Sequence, residues 1–436
     1  MGLGLLGRGV GDAEFLAQCG AEVIVTDKKS EAELAESVAK LKKYPNITFH
    51  LGEHEEKDFT NADMVIKAAG VPLDSPEVAA ARAAGVSVVM STALFAKYAM
   101  EAGAKLVGVT GTRGKSTTTQ MIYEILKAAG KKVLLGGNVR GISTLAMLPL
   151  VEKDTIAVLE LDSWQLQGFG DLKISPNISV FTNLMPDHLN YYHGDMGAYL
   201  ADKAEIFLHQ GPADFLLVGE QCSKLILDTY TGKIKAQRHI VHVENLPLGL
   251  RLRIPGEHNR LNAACALRVL RILDISDDEI KSGLESFEGV EGRLQLVREV
   301  NGIKIYNDNN ATTPEATIAA LRALGKNTTL IIGGSEKGLP LEELVATIKT
   351  NVSHLILLAH ENYKGSVRLA DSLQKEKVAF EEANTLKDAV DGAMRPAQKG
   401  GIVLFSPAFA SFGMFKNEYD RNDQFLEVVK EMGAAA

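Results

Sequence analysis

A glycine-rich turn after a short apolar run is the part of the sequence best suited to bind a phosphate. The segment from Gly108 to Thr119 reads GVTGTRGKSTTT. Backbone N–H groups at a helix start carry the positive end of the helix dipole, so a helix beginning near Lys115 would bind an anion. The amine of Lys115 can reach a β- or γ-phosphate, and the Ser116 hydroxyl can ligate Mg²⁺. The residues predicted to bind ATP here are Gly111, Thr112, Gly114, Lys115, Ser116 and Thr117.

Three further side chains could take part in phosphate chemistry. Glu160 and His188 follow the apolar segments TIAVL and ISVFTNL, and an α/β sheet presents its ligands where strands end. Taken alone, both are better explained as solvated groups at strand ends. Lys203 lies in YLADKAEIF among acidic neighbours and, taken alone, is compatible with an ordinary lysine on a helix surface.

Two asparagines could bind one ligand together. Asn259 and Asn262 lie three residues apart in GEHNRLNAACA, where a helix is predicted to begin. Side chains at positions i and i+3 share a helix face, so both amides can face the same group.

The first residues contain a second glycine pattern, Gly2-x-Gly4-x-x-Gly7, and Asp27 ends the next apolar run. Taken literally this is a dinucleotide-binding fingerprint and predicts an NAD-linked oxidoreductase. The strand that should precede the first glycine is nearly absent. The motif alone is weak, and it leaves the segment TGTRGKST unexplained.

Strand-like runs alternate with helical patterns along nearly the whole chain, which predicts α/β layers around parallel sheets. Three blocks can be separated at short joints, and they are predicted to be three domains of residues 1–98, 99–292 and 293–436. The first and third are expected to be Rossmann-like, and the second to be a parallel-sheet domain of the ATPase type with the glycine-rich turn.

Composition excludes several classes of protein. The formal charge of −8 over 436 residues argues against broad nucleic-acid binding, which needs clustered Lys and Arg. Three widely spaced cysteines indicate neither a zinc site nor a disulfide framework. No apolar run approaches the length of a membrane span, and the N-terminus lacks a secretion signal. We therefore expect a cytoplasmic protein without membrane insertion.

The motifs occur in an order that resembles the Mur ligase family. The resemblance covers essentially the whole chain. It rests on TGTRGKST, on Gly137-Asn138 in KVLLGGNVRG, and on ELDSWQL, TNLMPDHLNYYHG, YLADKAEIF, GEHNRLNAACA, GRLQ, YNDNNATTPEA, IIGGSEKG and SPAFASFGMFKNEYDR. It is most similar to family members that add D-glutamate to UDP-N-acetylmuramoyl-L-alanine.

The resemblance implies an ATP-dependent ligase that activates a carboxylate as an acyl phosphate and joins it to an amine. It implies that Lys115, Glu160, His188 and Lys203 are catalytic, and that Mg²⁺ is held by Ser116, Glu160, His188 and a carbamate of Lys203. Carbamylation by CO₂ requires a neutral amine, hence a lowered pKa of Lys203. The expected partners are small molecules, and the expected state is a monomer.

The same resemblance implies three sets of ligand contacts. Asn259 and Asn262 would contact adenine, and Arg293 and Asp308 would complete the ATP site. The UDP-sugar would be bound by Gly4, Leu5, Leu6, Asp27, Lys28, Lys29 and Asn138, and the amino acid by Thr312, Lys337 and Ser411.

Some positions depart from the family pattern and leave alternatives open. Asn310 stands where the family usually has Lys, which weakens the case for glutamate in particular. Arg113 stands where Asn is usual, and the form GTRGKS is similar to poly-γ-glutamate synthetases. The open alternatives are a ligase for a different amino acid, a folylpolyglutamate or poly-γ-glutamate synthetase, an NAD-linked oxidoreductase and a non-catalytic nucleotide-binding protein.

Overall fold

The computed structural model describes residues 1–4, 7–188 and 191–432, and its N-terminal part contains two pairs of parallel strands. The strands are β1 (Val23–Asp27), β2 (Ile47–Leu51), β3 (Met64–Ile66) and β4 (Ser87–Val89), and the helices are α1 (Arg8–Gln18), α2 (Ala35–Leu41), α3 (Lys57–Thr60) and α4 (Pro76–Ala83). Gly2 donates its N–H to Thr26 at 2.9 Å, and Ala68 donates to the Met1 carbonyl at 3.0 Å. Residues 1 and 2 therefore lie between the strand pairs, where the sequence predicted almost no strand.

A six-stranded, fully parallel sheet forms the middle of the chain, in the order β10-β9-β8-β5-β7-β6. Its strands are β5 (Lys105–Thr110), β6 (Val133–Gly137), β7 (Ile156–Glu160), β8 (Ile178–Phe181), β9 (Phe215–Gly219) and β10 (Gln237–Val241). The helices are α5 (Ser91–Glu101), α6 (Lys115–Ala128), α7 (Ser163–Leu172), α8 (Met196–Leu208) and α9 (Glu220–Thr229). After β5 the chain forms β6 and β7 on one side of that strand, and then β8, β9 and β10 on its other side. The carboxyl end of β5 is therefore a topological switch point, where such sheets bind ligands.

The C-terminal part contains a mixed sheet in the order β11-β12-β16-β13-β14-β15, in which β11 alone is antiparallel to its neighbour. The strands are β11 (Gln295–Val300), β12 (Ile303–Asn307), β13 (Thr328–Ile332), β14 (Val352–Leu358), β15 (Glu381–Ala383) and β16 (Ile402–Phe405). The helices from the end of the middle part onward are α10 (Glu257–Ile272), α11 (Asp277–Ser286), α12 (Pro314–Leu324), α13 (Glu342–Asn351), α14 (Lys364–Lys375), α15 (Leu386–Met394) and α16 (Glu418–Glu431).

The chain divides into two compact units, and the boundaries fall after Pro247, within α10 and within α11. The first unit comprises Met1–Pro247 and Leu261–Gly283, and the second comprises Leu248–Arg260 and Leu284–Ala436. The α/β architecture expected from the alternating patterns is confirmed in both units. In the described part of the chain, no helix is both long enough and apolar enough to span a bilayer.

Candidate active site

The glycine-rich turn follows β5 directly, and α6 begins at Lys115 as the sequence predicted. Gly111 and Gly114 have φ angles of 137° and 83°, which favour glycine. A Cβ atom on Gly111 would lie 2.0 Å from the hydroxyl oxygen of Thr182, and one on Gly114 would lie 2.2 Å from Oδ1 of Asn262. Backbone conformation and packing therefore both require glycine in this phosphate loop, residues 111–114, and the packing brings Asn262 against it.

Two lysines converge on the carbonyl oxygen of Gly111. The Lys115 amine donates to the carbonyls of Gly111 and Thr112, both at 3.1 Å. The Lys203 amine donates to the same Gly111 carbonyl at 2.9 Å and lies 3.4 Å from the Thr110 hydroxyl. Of the hydroxyl residues that follow, Ser116 is half-buried and Thr117 is buried in the first turn of α6.

Lys203 is fully enclosed although a sequence of this kind could place it on a helix surface. Only 1% of it is exposed. Burial first, and the neighbouring charge of Lys115 second, hold the pKa of Lys203 well below its ordinary value. A substantial neutral fraction of this amine is the requirement for reaction with CO₂.

Glu160 is the last residue of β7 and is buried, with 4% exposure. Its carboxylate accepts a hydrogen bond from the Asn138 amide at 3.4 Å, and within residues 1–4, 7–188 and 191–432 no cationic side chain pairs with it. A buried carboxylate without a cation is costly. A divalent cation is therefore the kind of group that Glu160 fits.

Asn138 also connects this strand end to the N-terminal helix. The guanidinium of Arg8, the first residue of α1, donates to Oδ1 of Asn138 at 3.0 Å. Sequence analysis did not select Arg8. Arg8 directly follows the first glycine motif, but no local pattern predicts its contact with a residue 130 positions away.

His188 lies seven residues beyond the end of β8, with a left-handed backbone at φ 53°. Asp187 lies between His188 and Arg113: its Oδ2 is 3.8 Å from Nε2 of His188 and 3.6 Å from a guanidinium nitrogen of Arg113. Burial lowers the pKa of His188, so the neutral imidazole that ligates metals is favoured near neutral pH.

Within residues 1–4, 7–188 and 191–432, Glu160 and His188 do not belong to a set of three converging His, Cys, Asp or Glu side chains. Among the described residues one such set occurs elsewhere, at Glu220, His242 and Glu244, whose ligand atoms lie within 4.8 Å of one another. Within that set, Nδ1 of His242 lies 3.1 Å from the Glu220 carboxylate, so these two side chains already pair with each other.

Asp27, at the end of β1, is engaged by the backbone around the first glycine motif. Its two carboxylate oxygens accept N–H groups from Gly4 at 3.1 Å and from Lys29 at 3.0 Å. The Lys28 amine is exposed and lies 3.2 Å from the Glu77 carboxylate. Leu5 and Leu6, which were also predicted to bind the UDP-sugar, lie outside the described residues.

In the second unit, Asp308 is buried directly after β12. Its carboxylate accepts the Leu294 N–H at 3.0 Å and the Ser406 hydroxyl at 2.8 Å. Burial raises the pKa of Asp308 to about 7. Of the other residues predicted to bind ATP there, Arg293 is exposed, while Asn259 is buried and donates to the Pro255 carbonyl at 2.7 Å.

Two of the predicted amino-acid-binding residues meet in the second unit: the Lys337 amine donates to the Thr312 hydroxyl at 3.1 Å. The third, Ser411, is buried, and its carbonyl accepts the Tyr363 hydroxyl at 3.3 Å. Arg421 of α16, which the sequence analysis did not select, is fully buried in the same unit.

Arg421 fixes the loop that carries Asp308. Its guanidinium donates to Oδ1 of Asn309 at 2.8 Å and to the Asn309 and Phe409 carbonyls at 2.9 and 3.2 Å. The helical spacing in the sequence indicates that Arg421 is buried, because it lies four and eight residues before the apolar Phe425 and Val429 on the same face of α16.

Family models match three consecutive parts of the chain. Residues 1–90 match the Mur ligase MurD-like N-terminal domain, residues 109–227 the Mur ligase middle domain, and residues 292–409 the Mur ligase glutamate ligase domain. The UDP-N-acetylmuramoylalanine–D-glutamate ligase of Roseiflexus sp. (strain RS-1) is 34% identical over 99% of this chain and 97% of that protein. The chain belongs to the Mur ligase family.

Other Mur ligases and their structural relatives agree with this assignment. The ligase of the same name from Geotalea uraniireducens (strain Rf4) is 34% identical over all of this chain and 97% of that protein. The crystal structure of the UDP-N-acetylmuramate–alanine ligase MurC from Thermotoga maritima has a TM-score of 0.64 at 20% identity, covering 99% of this chain and 98% of that one. E. coli FolC in complex with DHPP and ADP has a TM-score of 0.57 at 20% identity, over 78% of this chain and 93% of that one. These two structures share the Mur ligase fold with this chain.

Proposed function

We propose that this Mur ligase adds D-glutamate to UDP-N-acetylmuramoyl-L-alanine, with ATP cleaved to ADP and phosphate, in the cytoplasmic synthesis of peptidoglycan precursors. The observation that carries the proposal is the convergence of Lys115 and the buried Lys203 on the phosphate loop of a chain that matches such ligases over its whole length. The protein acts as a monomer on small molecules, and its domains are residues 1–98, 99–292 and 293–436.

ATP binds with its phosphates against the phosphate loop. The loop N–H groups, Lys115 and the Ser116 hydroxyl hold the β- and γ-phosphates, because the start of α6 concentrates positive potential there. Lys115 now donates to loop carbonyls, and it exchanges these for phosphate oxygens when the nucleotide binds. The adenine and ribose contacts are assigned to Asn259, Asn262, Arg293 and Asp308, and the remaining loop contacts to Gly111, Thr112, Gly114 and Thr117.

Mg²⁺ is the divalent ion that suits this chemistry. The groups assigned to hold this ion are the side chains of Glu160, His188 and Ser116 and the carbamate of Lys203. When bound, the ion neutralises the charge of the triphosphate and of the attacking carboxylate. The carbamate would form when the neutral Lys203 amine adds to CO₂ and loses a proton, which turns a buried neutral amine into an anion.

The substrate carboxylate attacks the γ-phosphorus, and ADP leaves with the bridging oxygen. The amine of D-glutamate then attacks the acyl carbon, phosphate departs, and the amine loses a proton.

The diphosphate of the UDP-sugar suits the two adjacent lysines, Lys28 and Lys29. The residues assigned to bind the UDP-sugar are Gly4, Leu5, Leu6, Asp27, Lys28, Lys29 and Asn138. Thr312, Lys337 and Ser411 are assigned to D-glutamate, and the Lys337 cation suits its side-chain carboxylate.

The alternatives fit less well. The match of residues 1–90 to a MurD-like N-terminal domain favours a UDP-sugar substrate over a folate or a poly-γ-glutamate chain. The same match favours a UDP-sugar over NAD in this domain.

Oxygen-isotope transfer tests the proposal. When the carboxylate of UDP-N-acetylmuramoyl-L-alanine carries ¹⁸O, one labelled oxygen should appear in the phosphate released during turnover with D-glutamate. Release of unlabelled phosphate would show that the carboxylate does not attack ATP, and no phosphate release at all would overturn the assigned reaction.

A further inference from the structure

The His188 imidazole is one member of a closed ring of five aromatic contacts. The His188 ring cluster consists of Trp164, His188, Tyr191, Tyr192 and Tyr199. The ring centroids are separated by 4.9 Å between Trp164 and His188, 5.4 Å between Trp164 and Tyr191, 4.8 Å between Tyr191 and Tyr192, 5.2 Å between Tyr192 and Tyr199, and 6.4 Å between Tyr199 and His188. Trp164, the only tryptophan in the chain, is the nearest ring to the imidazole.

Polar contacts fix the backbone of His188 and leave its ring to packing. The His188 carbonyl accepts the N–H groups of Tyr191 and Tyr192 at 2.9 and 3.1 Å. In the described part of the chain, the imidazole makes no hydrogen bond, and its nearest charged partner is Asp187 at 3.8 Å. An imidazole without hydrogen bonds can rotate about its side-chain torsions unless neighbouring atoms exclude the other rotamers.

Trp164 itself is held firmly. It lies in the first turn of α7, where Asp162 and Gln165 form a reciprocal capping box with N–H···O distances of 2.8 and 3.3 Å. The capping box fixes the helix start three residues after Glu160, so the backbone of Trp164 has a fixed position relative to the β7 end. The buried indole Nε1 has no hydrogen-bond acceptor among the described residues.

The ring cluster also reaches the lysine and the phosphate loop. The Lys203 amine lies 4.8 Å from the centre of the Tyr199 ring, and the Tyr199 hydroxyl lies 3.4 Å from the Thr112 hydroxyl. The Tyr192 hydroxyl donates to Asp202 at 2.9 Å. These contacts anchor the Tyr192 and Tyr199 side of the cluster, and Trp164 packs against His188 and Tyr191 on the other side.

We propose that Trp164 is a positioning residue that holds the His188 imidazole in its working orientation through ring packing. The inference rests on the proposed function, in which His188 serves the reacting groups. Trp164 does not touch those groups itself. Because its Nε1 donates to no described residue, a phenylalanine would keep the packing and lose no described hydrogen bond, whereas a leucine would remove the aromatic face.

The test compares W164F and W164L in the full chain, with H188Q as the reference. The His188 Cε1–H resonance, assigned as the signal missing in H188Q, should be displaced by the aromatic ring current in the wild type. W164F should retain most of this displacement, and W164L should lose it. In W164L we expect kcat/KM for the UDP-sugar to fall by about 10²-fold, as for a misplaced reacting group, and W164F should keep most of the activity. ATP binding should change little in both, which also shows that they fold.

The outcomes separate this inference from the proposed function. A W164L enzyme with wild-type kcat/KM and an unchanged His188 resonance would overturn the inference, as would a W164F enzyme as defective as W164L. Wild-type activity in H188Q would instead contradict the role of His188 in the proposed function.

Discussion

The amine of Lys203 lies 2.9 Å from the carbonyl oxygen of Gly111, so a fully buried lysine hydrogen-bonds to the phosphate loop. Lys115 donates to the same carbonyl oxygen. Two ammonium groups so close together in a buried site would repel each other, and burial penalises the charge further. The arrangement therefore favours a neutral Lys203 beside Lys115.

Replacing Lys203 should remove nearly all activity if its carbamate takes part in binding the metal. Lys203→Ala is expected to lose at least about 10²-fold in kcat, because an electrostatic group at the reacting centre is missing. Adding a short-chain carboxylic acid should restore part of the activity, since its carboxylate can occupy the vacated space. Phosphate release measures both effects.

The exposed Lys233→Ala is a suitable control for Lys203→Ala and should behave as the wild type under both conditions. Full activity of Lys203→Ala without added acid would show that the lysine has only a structural role.

Lys115→Ala should abolish turnover while the fold is kept. The amine is assigned to the γ-phosphate, and loss of such a stabilising cation costs at least about 10²-fold in kcat. Lys127→Ala removes an exposed charge from the last turn of the same helix, α6, and should leave kcat unchanged. Near-normal turnover of Lys115→Ala would be incompatible with nucleotide binding at this loop.

The adjacent lysines after β1 should affect one substrate only. Lys28→Ala combined with Lys29→Ala should raise the KM for the UDP-sugar about tenfold or more, since the loss of even one bond to a charged group costs about 1.5 kcal/mol. The KM for ATP should change little. The Lys42→Ala and Lys43→Ala pair, whose amines bind Glu31 and Glu14 in the same domain, is the matched control. Equal effects of the two pairs would argue against a diphosphate contact.

Asp308 should make the second unit less stable as the pH rises. Its pKa is about 7 in the folded protein and 3.8 when unperturbed, so the folded state holds the proton more tightly between these values. The stabilisation is fully present below about pH 4 and is lost as the pH rises through about 7, by at most about 4 kcal/mol.

Asp308→Asn cannot ionise, so its denaturation midpoint should fall less than that of the wild type between pH 5 and pH 8. The exposed Asp371→Asn on α14 should follow the wild-type curve. Parallel pH dependences of Asp308→Asn and the wild type would show that Asp308 does not carry this linkage.

Local patterns predicted the elements well, and long-range contacts could not be predicted. The start of α6 at Lys115 followed from the glycine-rich turn that precedes it. The contact between Arg8 and Asn138 joins residues 130 positions apart, and Arg421 reaches Asn309 across 112 positions. Such contacts depend on the tertiary fold, which hydrophobic periodicity does not encode.

The burial of Lys203 shows the same limit. The acidic residues beside it in the sequence favoured a surface helix, whereas α8 packs with Lys203 facing the sheet. The family resemblance selected Lys203 as a candidate, and its contact with Gly111 was not predicted.

One measurement tests the central claim most directly: mass spectrometry of the product formed from UDP-N-acetylmuramoyl-L-alanine and ATP with each amino acid of a panel in both configurations. We expect one glutamate residue to be added, with D-glutamate as the preferred amino acid and one ADP formed per product. A product that carries a different amino acid, or equal use of L-glutamate, would contradict the assigned specificity, and no product with any amino acid would contradict the ligase itself.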